Sequence, residues 1–328
     1  MAFMPKPRLL IIGPPPDSGT DELEAAFDVC QTENCTEVSP GGATGIDAIA
    51  LLASRTVDQR FMAAFPALKI IASFGVGYDH VDARWAADHG ITVTNTPGVL
   101  DEEVADTALG LLLCTVRELP QAMAYLKAGH WRRAPYRLTP ATLRDRTVGL
   151  VGMGRIGQSI ARRLDAFSVP VVYHARHPSS TASYRYHADL VGMAAAVDTL
   201  IVIVPGGAAT HHLISREVFD ALGPNGILIN VARGSVVDQS ALIAALASKR
   251  ILAAGLDVYE NEPEVPRALM ELDNVVLLPH VGSASRYTRD RMQKLVVDNL
   301  LAWAAGEDLL TPVAESRARH GPALEVRR

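Results

Sequence analysis

The chain has 328 residues, 48% of them hydrophobic and 20% charged, with a net charge of -5. Single hydrophobic cores stop growing near ~250 residues, so two globular domains are expected. The modest charge, with no basic patch interleaved with aromatics, argues against nucleic-acid binding, and the longest strongly apolar stretch, Ala108 to Val116, falls short of the ~20 residues that cross a bilayer.

Met1 to Arg8 shows no secretory pattern, which leaves cytoplasmic residence as the default. The three cysteines, Cys30, Cys35 and Cys114, are odd in number and lack metal-ligand spacing; reduced thiols and no metal site are expected. Strands are predicted at Leu9 to Ile12, Ala48 to Leu52, Ile70 to Ser73 and Ile91 to Thr94. The turn signal Asn95-Thr96-Pro97-Gly98 then leads into a long helical pattern, Asp101 to Arg117, that could bridge two domains. A second set of strands is predicted at Val148 to Val151, Val169 to His174, Leu200 to Val204, Ile227 to Val231, Ala253 to Leu256 and Val275 to Leu278. Short β-branched runs alternating with helical patterns imply the α/β class, with two doubly wound parallel sheets. A last long helix, Ser285 to Ala305, follows the second sheet and is expected to return to the first domain. The expected domains are 1–98 plus 286–328, discontinuous, and 99–285. Beyond Val313 the tail lacks apolar periodicity, ends in Arg327 and Arg328, and is expected to be weakly ordered.

Val148 to Val151 runs into Gly152-Met153-Gly154-Arg155-Ile156-Gly157 and then a helical stretch to Phe167. Gly152 permits a tight turn, Gly154 lets a pyrophosphate approach the backbone, and Gly157 lets helix and strand pack closely. The helix N-terminus supplies N–H groups and partial positive charge for phosphates. The next strand ends at Ala175-Arg176-His177, where an NAD enzyme usually carries an acid for the ribose hydroxyls. A guanidinium at Arg176, assisted by His177 or His174, suits an adenosine 2′-phosphate instead, so NADP(H) is preferred over NAD(H).

The chain resembles the D-isomer-specific 2-hydroxyacid dehydrogenase family, and most closely its glyoxylate/hydroxypyruvate and hydroxyphenylpyruvate reductase branch. The resemblance runs from about Leu68 to Val313. It is carried by the glycine turn and by the ordered segments Phe74-Gly75-Val76-Gly77-Tyr78-Asp79-His80-Val81-Asp82, Asn95 to Leu100, Asn230 to Gly234, Gly255 to Pro263 and Leu278 to Ser283. It implies a flavodoxin-like substrate domain, a Rossmann NAD(P) domain and a catalytic set of Arg233, Glu262 and His280. The chemistry is consistent with that set. His280 can protonate the alkoxide formed when a ketone accepts hydride, Glu262 can hold its other ring nitrogen, and Arg233 can grip a carboxylate while polarising the ketone.

The glycines of the loop Ser73 to Gly77 let N–H groups face an anion, with Val76 and Gly77 as the donors the resemblance implies. By resemblance Thr107 lies near the nicotinamide and Asp257 near its carboxamide. The remaining cofactor positions are Val76, Val204, Pro205, Thr210, Val231, Ala232, Arg233, His280, Gly282 and Ser283. Ser73, Leu100, Arg286 and Trp131 are candidate substrate contacts. Trp131 is either a core residue or one that reaches a partner subunit, since similar enzymes are homodimers. Glyoxylate and hydroxypyruvate are the first-choice substrates and phenylpyruvate-type acids the alternative. A dinucleotide-sensing interaction protein is the rival class, and oxidation of formate or phosphite a third reading with weaker support.

Overall fold

The computed structural model describes residues 6–32, 45–53, 55–144 and 146–320. Met1 to Pro5, Cys35, Arg327 and Arg328 lie outside them. The chain forms two compact units, Met1–Leu100 with Ser285–Arg328, and Asp101–Ala284.

The first unit holds five strands, β1 Arg8–Ile12, β2 Asp28–Thr32, β3 Ile46–Leu51, β4 Ile70–Ser73 and β5 Thr92–Thr94, all parallel in the order β2-β1-β3-β4-β5. Alternation along a strand sends successive side chains to opposite faces, and here both faces are buried. Leu10, Ile12, Ile49 and Leu51 pack with Met62, Phe65 and Val93 on one side. Leu9, Ile11, Ala48 and Ala50 pack with Val296, Val297 and Leu300 on the other. The latter three belong to the Arg286–Ala305 helix, which Ser285 caps by accepting a hydrogen bond from the Thr288 N–H. The expected disorder past Val313 is corrected over Ala314–His320, which is helical. Tertiary contacts hold this short helix although it lacks apolar periodicity: Ser316 Oγ accepts from the Val93 N–H at 2.9 Å, and Tyr78 donates to Glu315.

The second unit carries β6 Val148–Val151, β7 Val171–His174, β8 Arg185–His187, β9 Thr199–Val202, β10 Ile227–Asn230, β11 Ala253–Leu256 and β12 Val275–Leu277. They are parallel, in the order β12-β11-β10-β9-β6-β7-β8. Strand order reverses between β6 and β9, and such a switch point opens a crevice at the carboxyl ends of the strands. β6, β9 and β10 are fully buried. The Asp101–Val116 helix packs against β10, β11 and β12, and its first turn places Asp101, Glu102 and Glu103 where a helix dipole favours acids.

Two strands, β2 and β8, were not expected from the sequence. Both are sheet edges with polar residues, Asp28 and Gln31 in one and Arg185 and His187 in the other, so neither carries a buried-strand signature. Cys30 and Cys114 are free thiols. No helix among the described residues is long and apolar enough to cross a membrane.

Candidate active site

The glycine turn follows β6 at the switch point. Gly152 has φ 111°, and a Cβ there would lie 2.5 Å from the Ile203 carbonyl oxygen; a Cβ at Gly157 would lie 2.5 Å from that of Gly152. Both positions therefore exclude side chains for packing reasons. Gly154 differs, because a Cβ there would meet nothing within 4 Å. It is the exposed N-cap of the Arg155–Ala166 helix and has no side-chain cap. An open backbone at the positive end of a helix fits a dinucleotide pyrophosphate. The Arg155 side chain pairs with Asp101 at 3.0 Å, so on this turn its backbone N–H is the group left to face an anion. Ile156 is half-buried on the same turn.

At the end of β7, Ala175 is half-buried and accepts a hydrogen bond from Tyr186, while Arg176 and His177 are exposed. His174 bonds instead to the His187 carbonyl. No carboxylate occurs between residues 174 and 184. Beyond β9, Val204 and Pro205 lead to Thr210, whose hydroxyl donates to the Pro205 carbonyl at 2.7 Å.

The three catalytic candidates come from loops following β10, β11 and β12. His280 Nδ1 lies 2.6 Å from Glu262 Oε2. Both side chains are partly solvent-accessible, at 43% and 32%. A carboxylate on Nδ1 selects the tautomer that carries its proton there and leaves Nε2 for the substrate. Burial pushes the Glu262 carboxyl up, but the His280 hydrogen bond, the Tyr259 N–H and the charges of His280 and Arg233 more than offset it and hold it below the usual carboxylate range. A carboxyl lowered on folding stabilises the native state above its unfolded value and loses that contribution only as the pH falls through the folded one, so Glu262 is fully ionised at neutral pH.

His280 itself sits at φ 54°, the left-handed region that residues with a Cβ rarely occupy. Its loop is held there from below. Asp257, 1% exposed, accepts from the Val281 N–H at 2.7 Å and the Gly282 N–H at 2.8 Å, and its carbonyl takes the His280 N–H. Burial raises the Asp257 carboxyl, opposed by those two N–H groups and the His280 charge. Thr107 donates to the Gly282 carbonyl at 3.2 Å, tying the Asp101–Val116 helix to the same loop, and Ser283 follows half-buried.

Arg233, half-buried, follows the buried Val231 and Ala232. Asn230 braces that turn, accepting from the Ala232 N–H and donating to the Arg233 carbonyl, both at 3.0 Å. Sequence reasoning assigned no part to Asn230 or Tyr259. The Tyr259 N–H holds Glu262 Oε1 at 2.9 Å, and its hydroxyl donates to the Leu278 carbonyl. Burial, then the charges of Asp257 and Glu262, pushes that hydroxyl up to about 12, so it stays a donor.

In the first unit, the loop after β4 has Gly75 at φ 134°. The Gly75 N–H donates to Thr96 Oγ1, and Asn95 donates to the Val76 carbonyl at 2.8 Å. The Val76 and Gly77 N–H groups bond to no acceptor among the described residues. Ser73 is 0% exposed and its hydroxyl faces His80 at 3.3 Å, beneath the loop. Leu100 is buried, whereas Arg286 is exposed at the start of its helix. Trp131 is 66% exposed, which excludes the core reading.

Residues 109–282 match the family model for the D-isomer specific 2-hydroxyacid dehydrogenase NAD binding domain. The chain belongs to this family. Glyoxylate/hydroxypyruvate reductase A of Arabidopsis thaliana is 43% identical over 296 residues, covering 89% of this chain and 94% of that one. Hydroxyphenylpyruvate reductase of Plectranthus scutellarioides is 45% identical over 256 residues, 78% of this chain and 82% of that one. Among solved structures of 2-hydroxyacid dehydrogenases, the NADPH-dependent glyoxylate/hydroxypyruvate reductase of Sinorhizobium meliloti, in complex with NADP and malonate, is 52% identical, with a TM-score of 0.90 and coverage of 95% of this chain and 98% of that one.

In the His280–Glu262 pair, Glu262→Gln keeps the shape of the side chain and removes its charge. A carboxylate favours the protonated ring, and reduction consumes that form. The variant is therefore expected to lose the alkaline limb of its reduction profile at lower pH than the wild type, with oxidation gaining at the same pH. Superimposable pH profiles of kcat/KM would reject the pairing.

Proposed function

We propose that this dehydrogenase reduces a small 2-keto acid, glyoxylate or hydroxypyruvate, to the corresponding D-2-hydroxy acid with NADPH. The observation that carries the reading is the 2.6 Å contact between His280 Nδ1 and Glu262, which leaves Nε2 as a proton donor at the carboxyl edge of a dinucleotide-binding sheet. When bound, the reduced nicotinamide supplies the hydride. His280 Nε2 delivers the proton to the carbonyl oxygen as it gains charge, and Glu262 stabilises the imidazolium until then. Arg233 polarises the ketone and fixes its face, which sets the product hand. In the first unit, the Val76 and Gly77 N–H groups are assigned the substrate carboxylate. Cofactor contacts are assigned to the glycine turn, to Val204, Pro205 and Thr210, and to the buried loop of Asp257 and Gly282.

Arg176 and His177 support NADPH, since both are exposed where a 2′-phosphate would lie and no acid competes there. Steady-state comparison tests function and cofactor together. The wild type is expected to turn over glyoxylate and hydroxypyruvate faster with NADPH than with NADH, and Arg176→Ala to lower kcat/KM for NADPH by about tenfold or more while sparing NADH. A wild-type preference for NADH would reject the cofactor, and a preference for phenylpyruvate would favour the aromatic reductases among the relatives.

We further propose a cytoplasmic homodimer. Leu119, Met123, Leu126, Trp131 and Leu138 are 49–95% exposed along one stretch of the second unit, large apolar side chains of the kind an interface buries. Such a surface suits a second copy whose site Trp131 could reach, and a monomeric mass by sedimentation would reject the arrangement.

A further inference from the structure

Away from the catalytic pair, the second unit gathers three metal-ligating side chains from two separate segments. His211 and His212 follow β9 and the short turn at Thr210; Glu260 follows β11. One donor atom from each lies within 4.8 Å of the other two. His212 Nε2 is 2.6 Å from Glu260 Oε1, and the two imidazoles stack with centroids 3.9 Å apart.

We propose that His211, His212 and Glu260 form a binding site for one divalent transition-metal cation of the zinc, cobalt or nickel type. Two imidazoles and one carboxylate suit borderline cations, whereas magnesium and calcium prefer all-oxygen sets. Metal–ligand distances of about 2.0–2.2 Å in a tetrahedral arrangement separate donor atoms by about 3.3–3.6 Å. The present spread brackets that separation, so His212 and Glu260 open slightly, the metal replaces the proton they share, and the exposed ring of His211 swings in. Water completes the coordination.

The site is preorganised by contacts that a solvated cluster has no need of. His212 occupies the left-handed region, at φ 51°, and its N–H donates to the Ser235 carbonyl. The Glu260 N–H is held by Gln239. Two of the three ligands thus have fixed backbones. A cation here would also fasten the Thr210 loop to the segment that carries Glu262, two residues beyond Glu260. Sequence spacing conceals the set, because only His211 and His212 are neighbours in the chain.

The full chain, purified without a polyhistidine tag and stripped with chelator, is titrated with zinc in a calorimeter and with cobalt in a spectrophotometer. One cation per chain is expected, with cobalt developing a visible ligand-field band. His211→Ala, an exposed change that leaves metal-free turnover intact, and the isosteric Glu260→Gln are each expected to weaken binding at least about tenfold. Absence of binding by the wild type, or binding that persists unchanged in both variants, overturns the site.

Discussion

Replacing His280 with Gln is expected to lower kcat/KM for keto-acid reduction by about 10²–10⁴-fold, about 3–5 kcal/mol of transition-state stabilisation, while NADPH still binds. Glutamine keeps hydrogen-bonding capacity but cannot deliver a proton near neutral pH, so the nascent alkoxide must take its proton from water. The change also isolates chemistry from folding. His280 is partly exposed, and its loop is held mainly by Asp257 through the Val281 and Gly282 N–H groups, which the substitution leaves in place. The φ of 54° is no better suited to glutamine than to histidine, so the thermal midpoint should hardly move. Fluorescence titration with NADPH and single-turnover kinetics check the two parts. Wild-type turnover in this variant would remove His280 as the acid, and lost cofactor binding would make it a structural residue.

How much of this was legible in the sequence depended on where the information resides. β4, β6 and β11 have the expected boundaries because continuous apolar runs that end in polar or glycine residues mark their own limits. The edge strands β2 and β8 were invisible, since an edge buries too little to require an apolar pattern. The pairing of Glu262 with His280 was legible by residue type and motif. The framework beneath it was not. Asn230, Asp257 and Tyr259 act through bonds to backbone groups as many as 25 residues away, and nothing in their local sequence announces those partners. Ser73 is a further case: its place in the loop is plain in the sequence, its complete burial is not.

The same dependence on tertiary context separates two glycines that look alike in the sequence. A Cβ at Gly234 would lie 1.8 Å from the Tyr259 carbonyl carbon and 2.3 Å from the Glu260 nitrogen, backbone atoms that no rotamer change can move aside. Ordinary contact needs about 3.5–4.0 Å, so Gly234→Ala must push two buried loops apart. The expected cost is about 3–5 kcal/mol, a fall in thermal midpoint on the order of 10 °C for a unit of this size. Activity should fall with it, because the displaced Tyr259 N–H is the group that fixes Glu262 Oε1. Gly154→Ala is expected to do the opposite. Its φ of -76° suits alanine and its Cβ meets no protein atom within 4 Å, so the thermal midpoint should stay put. The methyl would instead stand where the pyrophosphate approaches the backbone, costing about 1–3 kcal/mol, or about five- to 150-fold in the NADPH Kd. Calorimetric unfolding and cofactor titration on the two variants separate the effects. If Gly154→Ala bound NADPH as tightly as the wild type, the dinucleotide would have to approach elsewhere along the sheet edge.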